Sequence, residues 1–557
     1  MTKSLRFLAC AVFGLAMLIA GWIMPIYLRG VDVAVLERAG RKLPGITGLG
    51  LTEAAAQRLS PAVLLLHSAQ LLALPDTNQL GEAIATLSRA QPELRAWGEP
   101  IPLWSTQLGR QPEIGTNGTS PITDVALRFE NRDKLLAYLG GSPRITAREM
   151  LGLRQLTNTV IFPPSLSPSG QALDAAIAVC GLLLDGDHLS KSLTGEIGRL
   201  VAAANHGGET EPLEQILLDF MSLGQRLNWG ELVAFTHRVE DAETLRLLVN
   251  QVREGVLPWP HLFTAVALSG RPADTVHYLL NFSRTGSQDL VTSLATGGGG
   301  IGELLDRKQP VFISPLRQQA RLLPPLAPVL SLTLGYCWLM PRVALAIKWL
   351  LFLGAGFLFA FGWQGLRSVR PSPGIGLARE ILFALGFLLV VLILSEPFLA
   401  QENQKVATSF RLRLPQVGDA VPAVNPGSPP STMTQPYNLL ILLLFFVLQG
   451  LIYIACLMKL AEIRRQPAPP RLKLKLLENE EHLFDAGLYL GFAGTIICLI
   501  LASLKIINGS LMAAYSSTSF GIVFVSIFKI FQLRPTRRRL LLEADTARAE
   551  EAAATRS

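Results

Sequence analysis

Residues 490–500 read LGFAGTIICLI, an apolar run that carries two glycines, an alanine and a threonine. A helix in lipid is expected to have leucine at such positions, so the small residues and the hydroxyl need a reason. Small residues let two helices approach closely where packing must replace the hydrophobic drive. A hydroxyl at membrane depth tends to face a bundle interior or a watery path. The stretch therefore predicts either a tight helix–helix contact or a pore-facing surface.

The whole chain has the composition of a membrane protein. Of its 557 residues, 50% are hydrophobic and only 17% are charged. A helix needs about 20 apolar residues to cross a bilayer, and six segments reach that length: 7–28, 343–366, 380–400, 438–460, 486–504 and 511–531. Helical periodicity prevails elsewhere. The predicted fold class is all-α, a polytopic membrane protein with about six transmembrane helices and a large exported α-helical domain.

Basic residues orient these segments. They are concentrated in three connections, at 367–379, 459–475 and 534–539. Because such concentrations mark cytoplasmic loops, we expect cytoplasmic N- and C-termini and an exported insert at 29–322. The loops also account for the net charge of +8 without nucleic-acid binding. Counting 324–340 as a span would reverse this orientation, so it is predicted to be an interfacial or pre-membrane helix, with Arg342 and Lys348 snorkelling.

The first apolar segment has two interpretations. Lys3 and Arg6 precede its apolar core, a pattern that anchors and signal peptides share. The core is long for a signal and no clear A-x-A site follows, which favours a retained anchor at 1–28 over a cleaved signal. The rest is predicted to comprise a pre-membrane segment with two transmembrane helices at 323–400, an exported Pro/Ser-rich loop at 401–437, a three-helix core at 438–533 and a basic, then charged, cytoplasmic tail at 534–557.

The exported insert shows weak internal repetition between residues 211 and 305. The segments that begin near Trp229 and Trp259 align Leu232 with Leu262 and, after a one-residue insertion, Leu248 with Leu279; a weaker copy places Leu290 in register. A period of about 30 residues with two short helices per unit is typical of stacked helical hairpins, which usually present a binding surface. An irregular helical domain with coincidental similarity is the alternative.

No catalytic constellation is recognisable, and the chain is not predicted to be an enzyme. The seven histidines are scattered without zinc-site spacing, and there is no G-x-S-x-G elbow. The run TGGGGIGELL at 296–305 lacks the G-K-[ST] ending of a phosphate loop, so it is interpreted as a flexible connection between helices. Cys180 is the one cysteine away from the apolar segments, which excludes a disulfide framework. We predict no cofactor and no metal.

Small and hydroxyl residues occur in both helices of the last apolar pair. Gly487 and Gly491 form a G-x-x-x-G motif, which Gly494 and Thr495 continue, and the partner segment carries four consecutive hydroxyl residues at 516–519 and Gly521. The four glycines are predicted to serve helix packing. Hydroxyls can bond back to their own helix, so a passive role stays open. Their presence on both helices favours a bundle interior or a watery path.

These motifs resemble a known family. LGFAGTIICLI is similar to the L-G-x-x-G-T-[VI] signature of the MotA/TolQ/ExbB proton-channel family, and SSTSFGIVF with its basic tail resembles the family's A-T-A-x-G-L helix. The resemblance covers residues 438–557 and implies a channel-like core in a bacterial inner membrane protein, with Thr495 and Thr518 at two pore-facing positions. Ala513 stands where the family often has a glutamate, and the cytoplasmic segment before the hairpin is shorter than usual.

The resemblance also implies partners. Family members form homo-oligomeric rings around helices of a small single-span protein, ExbD/TolR-like, that supplies a membrane aspartate, and ion flow drives motion coupled to envelope proteins or the cell wall. In this chain Glu396 and Asp485 are expected to be solvated at the membrane interface, so the titrating acid would come from the partner. The alternative function is a non-conducting membrane scaffold or receptor with a helical exported binding domain.

Overall fold

A computed structural model describes residues 3–41, 43–92, 94–98, 121–366, 373–396, 436–503 and 511–554. The described chain is almost entirely α-helical, which confirms the all-α prediction; its strands are β1 (Val31–Asp32) and β2 (Val311–Phe312). Contacts divide it into a membrane unit, Met1–Gly30 with Phe312–Ser557, and an insert unit, Val31–Val311. Residues 99–120, and residues 401–435 of the Pro/Ser-rich loop predicted at 401–437, lie outside the described residues.

The insert unit consists of short helices. Its helices are α2 (Val33–Gly40), α3 (Ile46–Ala55), α4 (Leu59–Leu71), α5 (Thr77–Ala90), α6 (Leu94–Trp97), α7 (Ile122–Leu127), α8 (Phe129–Gly140), α9 (Ile145–Met150), α10 (Gln171–Asp185), α11 (Lys191–Asn205), α12 (Glu211–Gly224), α13 (Trp229–Thr236), α14 (Ala242–Glu254), α15 (Trp259–Ser269), α16 (Pro272–Thr296) and α17 (Gly298–Arg307), with a 3₁₀ turn at Leu151–Gln155.

Helix α10 forms a central element of the first half of the insert unit. Every residue from Leu173 to Leu184 is buried, because α7, α8, α9 and α12 all pack against it. A helix that is apolar around its whole circumference needs such complete cover. Its one buried acid, Asp174, is compensated by Arg154, whose Nε lies 2.9 Å from Oδ1.

The repeat-bearing region folds into consecutive helices. Trp229 and Trp259 are the first residues of α13 and α15, and the aligned leucines at 232, 248, 262 and 279 are all buried. Leu290, however, lies inside α16, which continues without a break from Pro272 to Thr296. The hairpin-repeat interpretation remains a prediction.

The glycine run at 296–305 is a tight junction between helices. Gly297 has φ +102°, a conformation that favours glycine, and α17 begins at the next residue. A methyl group on Gly299 would overlap the Ala39 carbonyl oxygen, and one on Gly40 would overlap that of Thr296. The glycines therefore let α2 pack directly on the backbone of the α16–α17 junction.

The membrane unit contains the long helices. They are α1 (Lys3–Ile23), α18 (Pro315–Arg321), α19 (Ala327–Leu339), α20 (Pro341–Leu366), α21 (Pro373–Ser395), α22 (Pro436–Arg465), α23 (Pro470–Asn479), α24 (Glu481–Phe484), α25 (Ala486–Ser503), α26 (Leu511–Phe528) and α27 (Arg534–Ala554), with a 3₁₀ turn at Pro324–Leu326 and a π turn at Lys529–Leu533.

Five described helices are long and apolar enough to cross a membrane: Leu5–Ile23, Pro341–Trp363, Leu377–Ser395, Leu440–Arg465 and Tyr515–Thr546. Helix α25 corresponds to the fifth predicted span, 486–504, and its apolar part, Ala486–Ile500, is shorter than these five. Helix α1 ends at Ile23 rather than at residue 28, since Pro25 disfavours helical geometry at the residue before it. The chain thus has the helices of a multi-pass membrane protein.

Neighbouring long helices alternate in direction. Gly14 on α1 faces Phe359 on α20 and Gly21 faces Phe352, so residue numbers rise on one helix as they fall on the other. The same antiparallel relation holds for α20 with α21, α21 with α22, and α25 with α26, whereas α22 and α26 run parallel. The contacts that show these directions are Gly356–Phe387 and Lys348–Glu396 for α20 with α21, and Gly386–Val447 and Gly450–Leu382 for α21 with α22. They are Gly487–Val525 and Thr495–Thr518 for α25 with α26, and Phe446–Phe520 and Tyr453–Phe528 for the parallel pair α22 and α26.

Helices α22 and α26 continue into a small cluster beyond the apolar region. Here α23, α24 and α27 pack on their ends around an apolar core, and Lys459 links α22 to Glu480 at 3.4 Å. The buried members of this core are Cys456, Leu460, Ile463, Leu477, Phe484, Phe528 and Leu540.

Candidate functional site

The glycines of α25 and α26 bring the two helix backbones together. A methyl group on Gly491 would lie 2.8 Å from the Ser517 carbonyl oxygen, and one on Gly521 would lie 2.7 Å from that of Gly487. Carbon and oxygen atoms do not approach so closely without a bond. Because the obstructing atoms belong to the opposite backbone, any larger residue would force the helices apart.

At the two other predicted packing glycines, the nearest atoms belong to side chains of the neighbouring helices. A methyl group on Gly494 would lie 2.5 Å from Ser517 Oγ, and one on Gly487 would lie 3.0 Å from Val525 Cγ2 and 2.9 Å from Gln449 Oε1. The stripe of small residues on α25 therefore faces α26 on one side and a glutamine of α22 on the other.

Thr495 and Thr518 meet inside this hairpin. Their hydroxyl oxygens are 2.6 Å apart, and both hydroxyls reach the Gly491 carbonyl oxygen, at 3.1 Å from Thr495 and 3.3 Å from Thr518. Thr495 is buried and Thr518 is half-buried. The structure thus brings the two sequence-predicted threonines together within one chain, and their pore-facing role remains a prediction.

Gln449 completes the cluster and was missed in the sequence. Its side chain, 1% exposed, projects from α22 to the point where α25 and α26 cross, and Nε2 donates a hydrogen bond to the Gly487 carbonyl oxygen at 3.0 Å. The available signal was a lone amide within an apolar span, where polar side chains are rare and usually face the bundle interior.

The Gln449 Oε1 atom is buried without a hydrogen-bond partner among the described residues. Buried acceptors without partners are uncommon and need an explanation. The Cα–H bond of Gly487 points toward this oxygen, since an added methyl group would lie 2.9 Å from it. A weak Cα–H···O contact satisfies such an acceptor only partly. The crossing therefore keeps spare acceptor capacity in an apolar region.

A second polar cluster joins α20 and α21 at the end where the chain leaves α1. Lys348 Nζ lies 3.3 Å from Glu396 Oε1, and the two side chains are 0% and 1% exposed. Both sequence expectations for these residues are therefore wrong: Lys348 does not snorkel, and Glu396 is not solvated. The antiparallel packing of α20 on α21 brings the opposite charges together and removes both from solvent.

The other membrane carboxylates differ from this pair. Asp485 lies 2.7 Å from Lys529 Nζ and is partly exposed, at the end of the hairpin. Glu380, which the sequence interpretation did not single out, is 4% exposed on α21, with Arg379 Nη2 at 3.7 Å from Oε1. No described group of histidine, cysteine, aspartate and glutamate side chains could hold a metal ion.

Burial raises the pKa of three described carboxyl groups in the insert unit, Asp219, Glu231 and Asp289, and the shift is largest for the last two. Burial raises the pKa of Glu231 to about 7, although its side chain accepts the Asn228 backbone N–H in a capping box. Burial likewise raises the pKa of Asp289 to about 6, while hydrogen bonds from Tyr278 Oη and the Val311 backbone N–H oppose the shift.

Comparison with known proteins gives no relative. No protein-family model matches the chain, and neither a curated protein nor a solved structure is significantly similar to it.

Proposed function

We propose that the chain is a membrane-embedded, ion-channel-like subunit of stator type that couples the membrane to envelope partners through its exported insert. The observation that carries the proposal is the neutral polar cluster of Thr495, Thr518 and Gln449 at the crossing of three apolar helices. Such groups are costly in lipid and tend to face a bundle interior or a watery path. They provide oxygen acceptors without a fixed charge.

The proposed topology has six spans, cytoplasmic termini and the exported insert, 29–322, in the periplasm of a bacterial cell. The alternating helix directions support an even number of crossings, since α1 would run outward and α26 would return inward. The close packing of α1 on α20 supports a retained anchor, because Gly14 and Gly21 are fitted to Phe359 and Phe352. A helix removed by signal cleavage has no need of such fitted contacts.

Several copies and a small partner would complete the site. Thr518 is half-buried in the single chain, and Tyr515 and Phe492 nearby are exposed. A neighbouring copy or a partner helix packed there would bring its own groups to the hydroxyl pair. Because Ala513 offers no carboxyl group and Asp485 is already paired with Lys529, the titrating acid is proposed to be an aspartate of an ExbD/TolR-like single-span partner.

The test compares the wild-type chain with Thr495→Val and Thr518→Val, which keep side-chain shape and remove one hydroxyl each. Ser526→Ala on the exposed side of α26 is the matched control. We expect a ring-sized oligomer that retains a small aspartate-bearing protein, and proton or sodium flux in proteoliposomes that both valine variants abolish. Wild-type-like flux in both variants, or a monomer without a partner, would contradict the proposal.

A non-conducting scaffold or receptor is the second candidate. It is favoured by the fact that the Thr495 hydroxyl is already bonded to Gly491 O and Thr518 within the chain, as in passive hydroxyls that satisfy themselves locally. On this alternative, Gly491→Leu would disrupt the protein, whereas both threonine variants would assemble and function normally. The two candidates therefore make opposite predictions for the same pair of substitutions.

A further inference from the structure

The segment Ile23–Leu28, which runs from the last residue of α1 toward the insert unit, is bound through its backbone by three charged side chains. Lys348 Nζ donates to the Ile26 carbonyl oxygen at 2.7 Å, and Glu396 Oε2 accepts the Leu28 backbone N–H at 2.7 Å. Arg317 Nη1 donates to the Ile23 carbonyl oxygen at 3.0 Å. These side chains come from α20, from the end of α21 and from α18, so three separate elements bind one short segment.

The charges also bind one another and the ring within the segment. Lys348 Nζ lies 3.3 Å from Glu396 Oε1 and 4.2 Å from the centre of the Tyr27 ring. Tyr27 in turn contacts the Phe312 ring edge to face, with centroids 5.0 Å apart. Phe312 begins the chain's return into the membrane unit. Phe312 therefore packs on the ring that the Lys348 ammonium group contacts.

Stability alone does not explain why charges are used here. Removing two ions from water costs nearly as much as their attraction returns, and a well-packed apolar pair often serves equally well. What an apolar pair cannot do is hold a backbone carbonyl oxygen and a backbone N–H of an irregular segment in fixed positions. Each charge of this pair has one such backbone partner in Ile23–Leu28.

We infer that Lys348, Glu396 and Arg317 form a clamp that fixes the Ile23–Leu28 segment to α20 and α21. The clamped segment ends two residues, Arg29 and Gly30, before Val31, the first residue of the insert unit. The clamp does not depend on ion conduction, so it does not rest on the proposed function.

The test is hydrogen–deuterium exchange of the full chain in lipid nanodiscs, followed in peptides that cover residues 24–30 and in peptides from α20 and α21. The deciding variant is the double substitution Lys348→Met with Glu396→Leu, which removes both charges and keeps the space filled. Arg342→Met is the matched control, since Arg342 is an exposed cation on the same helix.

We expect the double variant to exchange about tenfold faster or more in residues 24–30, while α20 and α21 stay as protected as in the wild type. The control should match the wild type throughout. Unchanged exchange in residues 24–30 would overturn the clamp. Loss of protection throughout α20 and α21 would overturn it as well, because the pair would then support the bundle as a whole. Neither outcome depends on the threonine variants, so the two proposals can fail separately.

Discussion

The membrane unit contains two groups of three helices, and different types of residue connect the helices in each group. In α1, α20 and α21, long charged side chains bridge the helices, and Lys348 and Glu396 are fully buried together. In α22, α25 and α26, glycines bring backbones into direct contact around neutral hydroxyl and amide groups. The difference shows that the buried charges of the first group are paired with each other, whereas the buried hydroxyls of the second need only each other and a nearby carbonyl oxygen.

The largest effect is expected from removing one charge of the first group. Lys348→Ala leaves Glu396 buried without its counter-ion and should destabilise the membrane unit by about 3–5 kcal/mol, seen as a lower melting temperature and a lower yield in detergent. The double variant Lys348→Met/Glu396→Leu should stay close to the wild type, within about 1 kcal/mol. A double variant as unstable as the single one would show that the charges themselves hold this group together.

The insert unit contains a buried acid, Glu231, that has no paired cation among the described residues and can be compared with the paired Glu396. Glu231 has a pKa raised to about 7 by burial. Folding favours the protonated form of Glu231, and this protonation adds to the free energy of unfolding. The addition is fully present below the unfolded pKa near 4.5 and is lost as pH rises through 7. The shift corresponds to about 3 kcal/mol or less.

We therefore expect protease cleavage within residues 31–311 of the wild-type chain to become faster between pH 5 and pH 8, and Glu231→Gln to remove most of that dependence. The amide keeps an acceptor for the Asn228 backbone N–H. An equally steep dependence in the glutamine variant would assign the effect to another group, with Asp289 as the next to test.

The third effect is expected at the backbone contact between α25 and α26. Gly491→Ala places a methyl group 2.8 Å from the Ser517 carbonyl oxygen, and we expect a loss of about 1–3 kcal/mol, as for other overpacked sites. Gly386→Ala is the control, because its methyl group would meet side chains and no backbone, at 3.2 Å from Val447 Cγ1 and 3.9 Å from Leu451 Cδ1. Melting temperatures of the two variants in the same detergent provide the comparison; equal values would mean that the α25–α26 contact yields easily.

The smallest effect is expected from Gln449→Met. The substitution removes the hydrogen bond to the Gly487 carbonyl oxygen, but it also removes the unsatisfied Oε1 acceptor, and the two changes oppose each other. We expect a stability change below about 1 kcal/mol, with the loss of ion flux as the separate readout of a functional role. A large destabilisation would mean that the amide is a structural element comparable to the Lys348–Glu396 pair.

The sequence was informative where local composition decides the outcome. Apolar run lengths predicted the long membrane helices, and the glycines at 487, 491, 494 and 521 were identified before their neighbours were known. The sequence interpretation was wrong or silent for residues whose partners lie far along the chain. Lys348 and Glu396 each lie near the end of an apolar run, which suggested solvent; nothing in either run indicates that the other is its partner. Gln449 carried too little signal by itself.

The sequence by itself determined that this protein is helical and rich in membrane-length segments, because hydrophobic length and helical periodicity are properties of contiguous residues. Only the tertiary structure decided which polar groups share a site. Antiparallel packing brings residues 348 and 396 together, and the hairpin register brings 495 and 518 together. Such pairings depend on relative rotation and displacement of whole helices, which the packing of their complete surfaces determines and no short motif encodes.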